Sequence, residues 1–376
     1  MKHVAIIGCG QLARMLALAG WRMGIRFSFV ACHEEETHCI NGLGNIVRWR
    51  GSRTASDLYR ALGNPDAITV ERESVCTELL QGLSQHCAVH PNHEAVWTCQ
   101  HRLREKHLLD GLEIATADYC GALTPDDMEL AIAQLGCPVM VKAASDSYDG
   151  KQQRRLENRA DLAAMKTLLK GQSSGEWLVE KCIPFEREIS FIAARSTGGD
   201  IVFYPPTENV HRNGILMHST APAQGLDGGL EQSGRNYLTA LMEALKYVGV
   251  LSMECFLLDN RLLVNELAPR VHNSGHWTLD AHITCQFENH LRAILGLPLG
   301  DTHLNHYSGL VNILGEQDQA LNLASLSASA AVHWYNKPFA PGRKLGHLGL
   351  SADSSLELQR QVRQLHHELS TPGNHA

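Results

Sequence analysis

The sequence predicts an α/β protein whose N-terminal part is a doubly wound parallel sheet. A short apolar strand, HVAIIG (3–8), runs into a glycine turn and an amphipathic helix, CGQLARMLALAGWRMG (9–24), and a second strand, IRFSFVA (25–31), follows at once. Strand, helix and strand in this order form a βαβ unit, in which the two strands lie parallel. At 376 residues the chain is also long enough for two or three domains.

The later elements follow in order along the chain. The N-terminal domain continues with ASDLYRALG (55–63), AITVERE (67–73) and a helical stretch, TCQHRLREKHLLDGL (98–112). A second region opens with a helix at 125–136, for which Thr124 is the expected N-cap and Asp126 and Asp127 form the acidic first turn. Its further elements are strands at CPVMVKAA (137–144), WLVEKCI (177–183) and REISFIAA (187–194), a helix at 233–249 and a hairpin at 249–267.

A third segment begins near residue 300. It contains a short strand pair around AAVHWYNK (330–337) and a final helix, and the tail STPGNHA (370–376) is expected to be disordered. The predicted domains are therefore residues 1–105, 106–300 and 301–376.

Composition and charge exclude several classes of function. The chain is 44% apolar and 19% charged, as in soluble globular proteins, and no stretch is long and apolar enough to span a membrane. A net charge of −7 offers no basic face for a nucleic acid. The eleven cysteines include no C-x-x-C pair, so we expect reduced thiols in the cytoplasm that serve as small core residues, as at Cys137, Cys255 and Cys285.

The first glycine turn, GCGQLA (8–13), has two interpretations. It satisfies the dinucleotide pattern G-x-G-x-x-G/A, and an acidic cluster, Glu34 to Glu36, follows the second strand at about the right distance. The same turn would, however, present backbone N–H groups to any phosphate or other anion at a helix N-terminus. The pattern alone does not distinguish a nicotinamide or flavin enzyme from a protein that binds another anion.

The hairpin within GVLSMECFLLDNRLLVNEL (249–267) raises a question of register. With a three-residue loop, Asp259 to Arg261, Leu258 pairs with Leu262 and Glu254 lies opposite Glu266. Facing carboxylates repel each other unless they share a divalent cation, and Mg²⁺ typically takes one or two protein carboxylates. With a two-residue loop, Glu254 pairs with Asn265 and Glu266 lies on the other face. Spacing alone leaves the two registers equally probable.

Other candidate side chains are weaker signals individually. Lys142 ends the strand PVMVK before a loop and would suit phosphate oxygens, or it is simply a solvated lysine. Glu180 and Glu188 bracket an apolar segment that would suit adenine and ribose, although surface glutamates are common. The turn KPFAPGRKLGH (337–347) is either an anion site in an acidic protein or an ordinary charged loop.

Together, four segments resemble the ATP-grasp enzymes of purine biosynthesis, most closely the 5-(carboxyamino)imidazole ribonucleotide synthases. They are VKAASDSYDGK (141–151), VEKCIPFEREIS (179–190), MECFLLDNRLLVNELAPRVHNSGHWT (253–278) and HWYNKPFAPGRKLGH (333–347). The likeness covers nearly the whole chain, and NELAPRVHNSGHWT is its most specific part. It implies a doubly wound N-terminal domain, an α+β ATP-grasp domain with a lid at about 120–185, and a small C-terminal domain. It also implies that the first turn faces a ribonucleotide and binds no NAD.

The resemblance assigns roles to individual positions. It implies Mg²⁺ ligands at Glu254 and Glu266, and ATP contacts at Arg102, Lys142, Tyr148, Glu180, Lys181, Cys182, Ile183, Glu188, His211, Asn265 and Glu266. It implies contacts with 5-aminoimidazole ribonucleotide at Gln11, Glu71, Tyr148, Asp149, Lys151, Arg270, His272 and Asn273, with its phosphate held by Lys337, Arg343 and Lys344. Lys142, Asp149 and Arg270 would be catalytic.

The implied reaction joins bicarbonate to the amine of 5-aminoimidazole ribonucleotide through carboxyphosphate, with ATP cleaved to ADP and phosphate. The implied assembly is a cytoplasmic homodimer. The chain departs from the family where glycines of the lid are replaced by Asp146, Ser147 and Gln152, and where Ala13 replaces a glycine. The altered lid leaves one alternative, a degenerate nucleotide-binding protein. The general scheme shared within the superfamily leaves a second, a ligase that uses formate and glycinamide ribonucleotide.

Overall fold

The computed structural model of the chain describes residues 1–51, 54–145, 153–158, 161, 175–315 and 330–370. In this part the strands form three sheets, one parallel and two antiparallel, with helices packed against them. This mixed architecture confirms the predicted fold class. None of the helices in the described ranges is long and apolar enough to cross a bilayer.

The N-terminal sheet has five parallel strands in the order β3-β2-β1-β4-β5. Its strands are β1 (His3–Ile7), β2 (Arg26–Cys32), β3 (Asn45–Trp49), β4 (Ala67–Val70) and β5 (Ala88–Val89). The helices of this part are α1 (Gln11–Trp21), α2 (Ala55–Ala61), α3 (Thr77–Leu83), α4 (His93–Cys99) and α5 (Arg102–Gly111).

Strand β1 lies at the centre of this sheet and is buried on both faces. Val4 and Ile6 belong to the core that contains the apolar side of α1, whereas Ala5 and Ile7 belong to the core formed with α2 and α3. Because successive side chains of a strand point to opposite faces, a continuous apolar run is required here. The doubly wound arrangement predicted from this run is confirmed.

The helical stretch predicted at 98–112 is wrong as one continuous helix. Helix α4 ends at Cys99, His101 has an extended backbone (φ −136°, ψ 112°), and α5 begins at Arg102. The break lets the Arg102 backbone N–H bond to the carbonyl of Ala144, at 2.8 Å, just after the strand Val139–Ala143. A tertiary hydrogen bond therefore overrides the local helical preference.

A small antiparallel sheet follows, in the order β6-β9-β7-β8. It comprises β6 (Tyr119–Ala122), β7 (Val139–Ala143), β8 (Gln153–Leu156) and β9 (Trp177–Lys181), and α6 (Pro125–Leu135) packs on it. Thr124 is the N-cap of α6 as predicted, because its hydroxyl accepts from the Asp127 N–H at 3.1 Å while the Asp127 carboxylate accepts from the Thr124 N–H.

The third sheet is antiparallel and has nine strands, in the order β15-β14-β10-β12-β13-β16-β18-β17, with β11 paired to β10. Its strands are β10 (Arg187–Arg195), β11 (Ile201–Phe203), β12 (Thr207–Arg212), β13 (Ile215–Ala221), β14 (Gly249–Leu258), β15 (Arg261–Ala268), β16 (Tyr307–Leu314), β17 (Ala331–Trp334) and β18 (Lys344–Ala352). The helices against it are α7 (Gly228–Ala244), α8 (Gln286–Ile294) and α9 (Ser355–Ser370).

The C-terminal segment is built onto this large sheet. Strand β16 pairs with β13, and β18 pairs with both β16 and β17, which confirms the short strand pair predicted around 330–337. The final helix, α9, is also confirmed, and residues 371–376 of the tail lie outside the described residues. Strands of the second and third predicted domains thus share one sheet, which brings residues near 340 close to those near 210.

The cysteines vary in burial. Cys255 is buried and Cys285 is half-buried, but Cys137 is exposed, so the prediction that it is a core residue is wrong. Cys137 stands just after Gly136, whose positive φ (+73°) ends helix α6, and this turn lies at the surface.

Candidate active site

One cavity of about 1460 Å³ lies where the three sheets meet. Every site residue predicted from the sequence that falls in the described ranges lines it. These residues are Gln11, Glu71, Arg102, Lys142, Glu180, Lys181, Cys182, Ile183, Glu188, His211, Glu254, Asn265, Glu266, Arg270, His272, Asn273, Lys337, Arg343 and Lys344. The predicted residues Tyr148, Asp149 and Lys151, and the lid substitutions at Asp146, Ser147 and Gln152, lie outside the described residues.

The β14–β15 hairpin resolves the question of register in a way that neither predicted alternative contained. Its loop has two residues, Asp259 and Asn260, both with positive φ, so Leu258 pairs with Arg261 and the three-residue loop is wrong. A β-bulge then shifts the ladder beyond Cys255, and Glu254 lies opposite Glu266 after all. Asn265 is the extra residue of the bulge.

The two facing carboxylates differ in their surroundings. Burial and the charge of Glu266 raise the pKa of Glu254; its neighbour His272, at 3.5 Å, adds no positive charge because burial lowers the pKa of that imidazole well below its usual value. Burial also acts to raise the pKa of Glu266, but Arg102 and Lys142 outweigh it and lower that pKa, and the Arg102 guanidinium lies 3.1 Å from the Glu266 carboxylate. Hard oxygen donors held close together against their repulsion suit a divalent cation such as Mg²⁺.

Lys142 belongs to a buried ion triad. The Glu180 carboxylate lies 2.5 Å from the Lys142 ammonium and 2.7 Å from the Lys106 ammonium. Although burial raises the pKa of Glu180, the two lysines lower it to about 2. Lys142, only 7% exposed, also donates to the Asn265 amide oxygen at 3.3 Å, so the alternative of a solvated strand-end lysine is wrong.

Glu188 and His211 form a second polar pair on neighbouring strands. The His211 Nδ1 lies 2.5 Å from a Glu188 carboxylate oxygen. Burial lowers the pKa of His211, but the hydrogen bond to Glu188 and the charge of Glu254 raise it overall. The pair faces the cavity together with Lys181 to Ile183, which follow Glu180 at the end of β9.

The N-terminal turn is filled by the protein's own carboxylates. Glu71 accepts hydrogen bonds from the backbone N–H groups of Gly10 and Ala13 (2.9 Å for Ala13) at the N-terminus of α1. A Cβ on Gly8, which has φ +115°, would lie 2.3 Å from the Glu71 Cγ, so glycine is required there. The place where a dinucleotide pyrophosphate would lie is therefore already occupied.

The acidic cluster after β2 also contains a carboxylate that is bonded to the protein's own backbone. Glu35 accepts from the backbone N–H groups of Cys9 and Cys32, both at 3.0 Å, and pairs with Arg72 at 2.9 Å. These contacts use both Glu35 carboxylate oxygens, as a structural support of the turn. The dinucleotide interpretation of GCGQLA is wrong for this reason as well.

The polar stretch after β15, residues 270–273, lines the cavity. Buried amide side chains on its other side form hydrogen bonds with it. Gln286, fully buried in α8, accepts from the His272 backbone N–H at 2.9 Å and donates to its carbonyl at 2.6 Å. Asn312 in β16 exchanges two hydrogen bonds, at 3.0 and 3.2 Å, with the side chain of Asn273. Arg270 pairs with Glu73 at 2.8 Å. The loop is thus a supported surface rather than a solvated connection.

Gln286 and Asn312 were not predicted from the sequence. The available signal was a polar residue inside an apolar strand (YSGLVNIL) or on the buried face of a helix (QFENHLRAI). Such residues are hydrogen-bonded when buried, but the sequence does not identify their partner.

The basic turn lies at the end of the cavity next to the N-terminal sheet. Lys337, Arg343 and Lys344 all line the cavity, and Arg343 pairs with Glu36 at 2.5 Å. Arg14 in α1 donates to the carbonyl of Trp334 at 3.1 Å. These contacts hold the turn against the N-terminal domain, so that its positive charges face the cavity that Lys142 also lines.

Another group of metal-ligating side chains lies behind this turn. Asp280, His333 and His347 have ligand atoms within 4.8 Å of one another. The His333 and His347 rings are stacked, with centroids 4.4 Å apart and planes at 9°. Two rings in separate parallel planes cannot both direct an in-plane lone pair at one ion. Hydrogen bonds from His333 to Asp280 (2.9 Å) and between Tyr335 and His347 (2.7 Å) make this group a structural network.

Comparison with known proteins covers almost the whole chain. Residues 1–100 match the ribonucleotide synthetase preATP-grasp domain, residues 107–287 the ATP-grasp domain, and residues 308–361 the phosphoribosylaminoimidazole carboxylase C-terminal domain. The N5-carboxyaminoimidazole ribonucleotide synthase of Vibrio cholerae is 39% identical, with 96% of this chain and 94% of that protein covered. The enzyme of the same name from Escherichia coli is 34% identical, covering 97% and 94%.

Solved structures agree with the sequence comparison. The N5-carboxyaminoimidazole ribonucleotide synthetase of Thermus thermophilus superimposes with a TM-score of 0.88 at 36% identity, covering 98% of this chain and 99% of that one. The N5-carboxyaminoimidazole synthase of Aspergillus clavatus, in complex with ADP and 5-aminoimidazole ribonucleotide, gives a TM-score of 0.87 at 26% identity, with 98% of each chain covered.

Proposed function

The chain belongs to the family of N5-carboxyaminoimidazole ribonucleotide synthases, ATP-grasp ligases of purine biosynthesis, and we propose that it joins bicarbonate to the amine of 5-aminoimidazole ribonucleotide. The observation that carries this proposal is the shared cavity. The Glu254–Glu266 pair, Lys142 and the basic turn that contains Arg343 all line it. A phosphate donor and a phosphorylated acceptor can therefore be held within one cavity, close enough to react.

The chemistry has two steps. A bicarbonate oxygen attacks the γ-phosphorus of ATP, the bond to the β,γ-bridging oxygen breaks, and carboxyphosphate and ADP form. The exocyclic amine of the ribonucleotide then attacks the carboxyl carbon, inorganic phosphate leaves, and the amine loses a proton. From the family resemblance we propose Asp149 as the acceptor of that proton.

The protein's part in the first step is positioning and electrostatic stabilisation. Lys142 would contact the transferred phosphoryl group, held in place by Glu180 and Asn265. Arg102, which lies 3.1 Å from Glu266, would contact the nucleotide phosphates. Glu254 and Glu266 would hold Mg²⁺, which supplies charge neutralisation on the phosphate oxygens when it is bound. Lys181 to Ile183, Glu188 and His211 would hold the adenosine part.

The second substrate would bind in the part of the cavity next to the basic turn. Lys337, Arg343 and Lys344 would hold its phosphate, and Gln11 and Glu71 would face its ribose and base together with the 270–273 loop. Arg270 would orient the carboxyl group for attack, since it lines the cavity and is fixed by Glu73. A closed site must exclude water, because carboxyphosphate hydrolyses readily.

The test is phosphate release from ATP and Mg²⁺, measured with and without bicarbonate and 5-aminoimidazole ribonucleotide. We expect release to require the ribonucleotide, to fall at least about 100-fold in Glu266→Gln, and to persist in Glu243→Gln, an exposed residue of α7. ATP binding without release under any combination of substrates would indicate the degenerate alternative. Release with formate and glycinamide ribonucleotide instead would indicate the other ligase.

We further propose, from family membership, that the protein is a cytoplasmic homodimer with functional units at 1–105, 106–300 (lid at about 120–185) and 301–376. Light scattering after size-exclusion chromatography tests the dimer. A mass of twice 41.4 kDa is the expected result, and a single 41.4 kDa species would contradict it.

A further inference from the structure

Lys106 is a buried charge that the sequence did not single out and that does not line the cavity. It is 1% exposed and lies in the middle of α5. Its ammonium contacts Glu180 at 2.7 Å, donates to the Thr116 hydroxyl, and approaches the carbonyl oxygens of Val264 and Asn265 at 3.4 and 3.2 Å. Nucleotide or ribonucleotide bound in the cavity would therefore not touch it.

The Asn265 carbonyl belongs to the β-bulge, and the Val264 carbonyl lies just before it on the outer edge of β15, where Val264 forms an isolated bridge with Thr116. Asn265 is the extra residue of β15, and the bulge interrupts the ladder with β14 at that point. Carbonyl groups displaced from a ladder need another donor when they are buried. Lys106 supplies one to both residues, and the Thr116 hydroxyl donates to the Val264 carbonyl at 2.7 Å.

Three side chains on one face of α5 contact successive residues of β15, at and next to the bulge. Arg102, Glu105 and Lys106 stand at i, i+3 and i+4, which places them on the same side of the helix. Arg102 pairs with the Glu266 carboxylate, and Glu105 forms a hydrogen bond with the backbone of Leu267. Lys106 binds the carbonyls that precede Glu266, so both flanks and the side chain of Glu266 are fixed from α5.

Charge balance alone does not explain a lysine at this position. Glu180 already lies 2.5 Å from Lys142, so a second lysine leaves the buried triad with a net positive charge. An apolar residue would avoid the desolvation cost of that charge. The carbonyls of the bulge account for it, because an ammonium donates up to three hydrogen bonds and can serve Glu180 and the bulge together.

We propose that Lys106 is a positioning residue that holds the bulge open and so keeps Glu266 opposite Glu254. Through Glu180 it also fixes the position of Lys142. The inference rests on the proposed function for the role of the two carboxylates. It goes beyond that function because it makes Lys106 responsible for the register of Glu254 and Glu266. The affinity for Mg²⁺ and nucleotide would then depend on a residue that contacts neither of these ligands.

The experiment compares Lys106→Met with Leu109→Ala, a fully buried residue on the same helix. Nucleotide binding is measured against Mg²⁺ concentration by calorimetry with ADP, and steady-state KM values are measured for ATP and the ribonucleotide. For Lys106→Met we expect the half-saturating Mg²⁺ concentration to rise about 10- to 100-fold, which is the usual loss of metal affinity when a residue that orients a metal ligand is replaced. The KM for the ribonucleotide should not change. Leu109→Ala should lower stability and leave both quantities unchanged.

An unchanged Mg²⁺ requirement in folded Lys106→Met, or an equal rise in Leu109→Ala, would overturn the proposal. If Lys106→Met does not fold, Thr116→Val serves, because it removes one hydroxyl from the bulge and keeps every charge. It should raise the Mg²⁺ requirement about 2- to 10-fold, and no rise would overturn the proposal. The two proposals can fail separately. If the wild-type protein binds Mg²⁺ and ADP but shows no ribonucleotide-dependent phosphate release, the proposed function is refuted. The comparison of Mg²⁺-dependent ADP binding would still test the role of Lys106.

Discussion

Replacement of Glu180 by glutamine tests whether the buried ion triad stabilises the fold as its geometry indicates. Glu180 is 4% exposed and lies within 2.7 Å of both Lys106 and Lys142, which are 1% and 7% exposed. Glutamine has the same shape and can still accept a hydrogen bond from one ammonium. Its NH₂ group would point at the other ammonium, and both lysines would lose the neutralising charge.

The expected loss of stability can be bracketed. Removing one partner of a buried ion pair typically lowers the free energy of unfolding by about 3–5 kcal/mol. A buried ammonium can also be relieved by losing its proton, which for an ordinary lysine at pH 7 costs about 4.6 kcal/mol. Because glutamine retains one hydrogen bond, we expect about 3 kcal/mol at pH 7. At pH 9 the same deprotonation costs only about 2 kcal/mol, so the loss should shrink to that value.

The assay is urea denaturation at pH 7 and pH 9, followed by the total fluorescence of the six tryptophans. The wild-type contribution is present at both pH values, because the pKa of Glu180 is lowered by its lysines and the contribution is lost only as pH falls from about 4.5 towards 2. Glu243→Gln is the matched control and should change stability by less than about 0.5 kcal/mol. A loss below about 1 kcal/mol, or one that is equal at the two pH values, would refute the reasoning.

Two further predictions concern the backbone and the buried histidines. Asn260→Val should lower the free energy of unfolding by about 1–2 kcal/mol relative to Asn260→Gly, because φ at this turn is +54°; equal stabilities in urea would contradict this. Burial and His90 lower the pKa of His290 to about 3, and its Nδ1 accepts from the Val250 N–H. A histidine whose pKa is lowered on folding loses stability as pH falls below about 6.5, here by about 1.4 kcal/mol between pH 7.5 and 5.5. Glutamine in His290→Gln accepts the same hydrogen bond but does not titrate, so the free energy of unfolding of this variant should fall by about 1.4 kcal/mol less over the same pH range. A pH dependence equal to that of the wild type would exclude the mechanism.

Local patterns were sufficient for the elements whose structure is decided locally. The apolar run of β1 and the N-cap at Thr124 each depend on neighbouring residues, and the sequence predicted both, whereas it left the length of the loop after Leu258 open. The side chains that reach the cavity could be named because the resemblance supplied them, whereas composition and spacing alone left most of them ambiguous.

What the sequence did not predict depends on contacts between distant residues. The bulge at Asn265 is held by Lys106, 159 positions away, so counting residues from the hairpin loop could not establish the register. The filling of the first turn by Glu71 joins residues 61 positions apart. The helix break before Arg102 follows from a bond to Ala144. In each case a tertiary contact decides between local alternatives of similar free energy.

The measurement that tests the central claim most directly follows the oxygen atoms of bicarbonate. Wild-type protein is incubated with ATP, Mg²⁺, 5-aminoimidazole ribonucleotide and ¹⁸O-labelled bicarbonate, and the inorganic phosphate is examined by ³¹P NMR. If bicarbonate attacks the γ-phosphorus in this cavity, each phosphate released carries one oxygen from bicarbonate. Phosphate whose one new oxygen comes from water, with the other three from ATP, would show that ATP is simply hydrolysed, and the proposed reaction would be wrong.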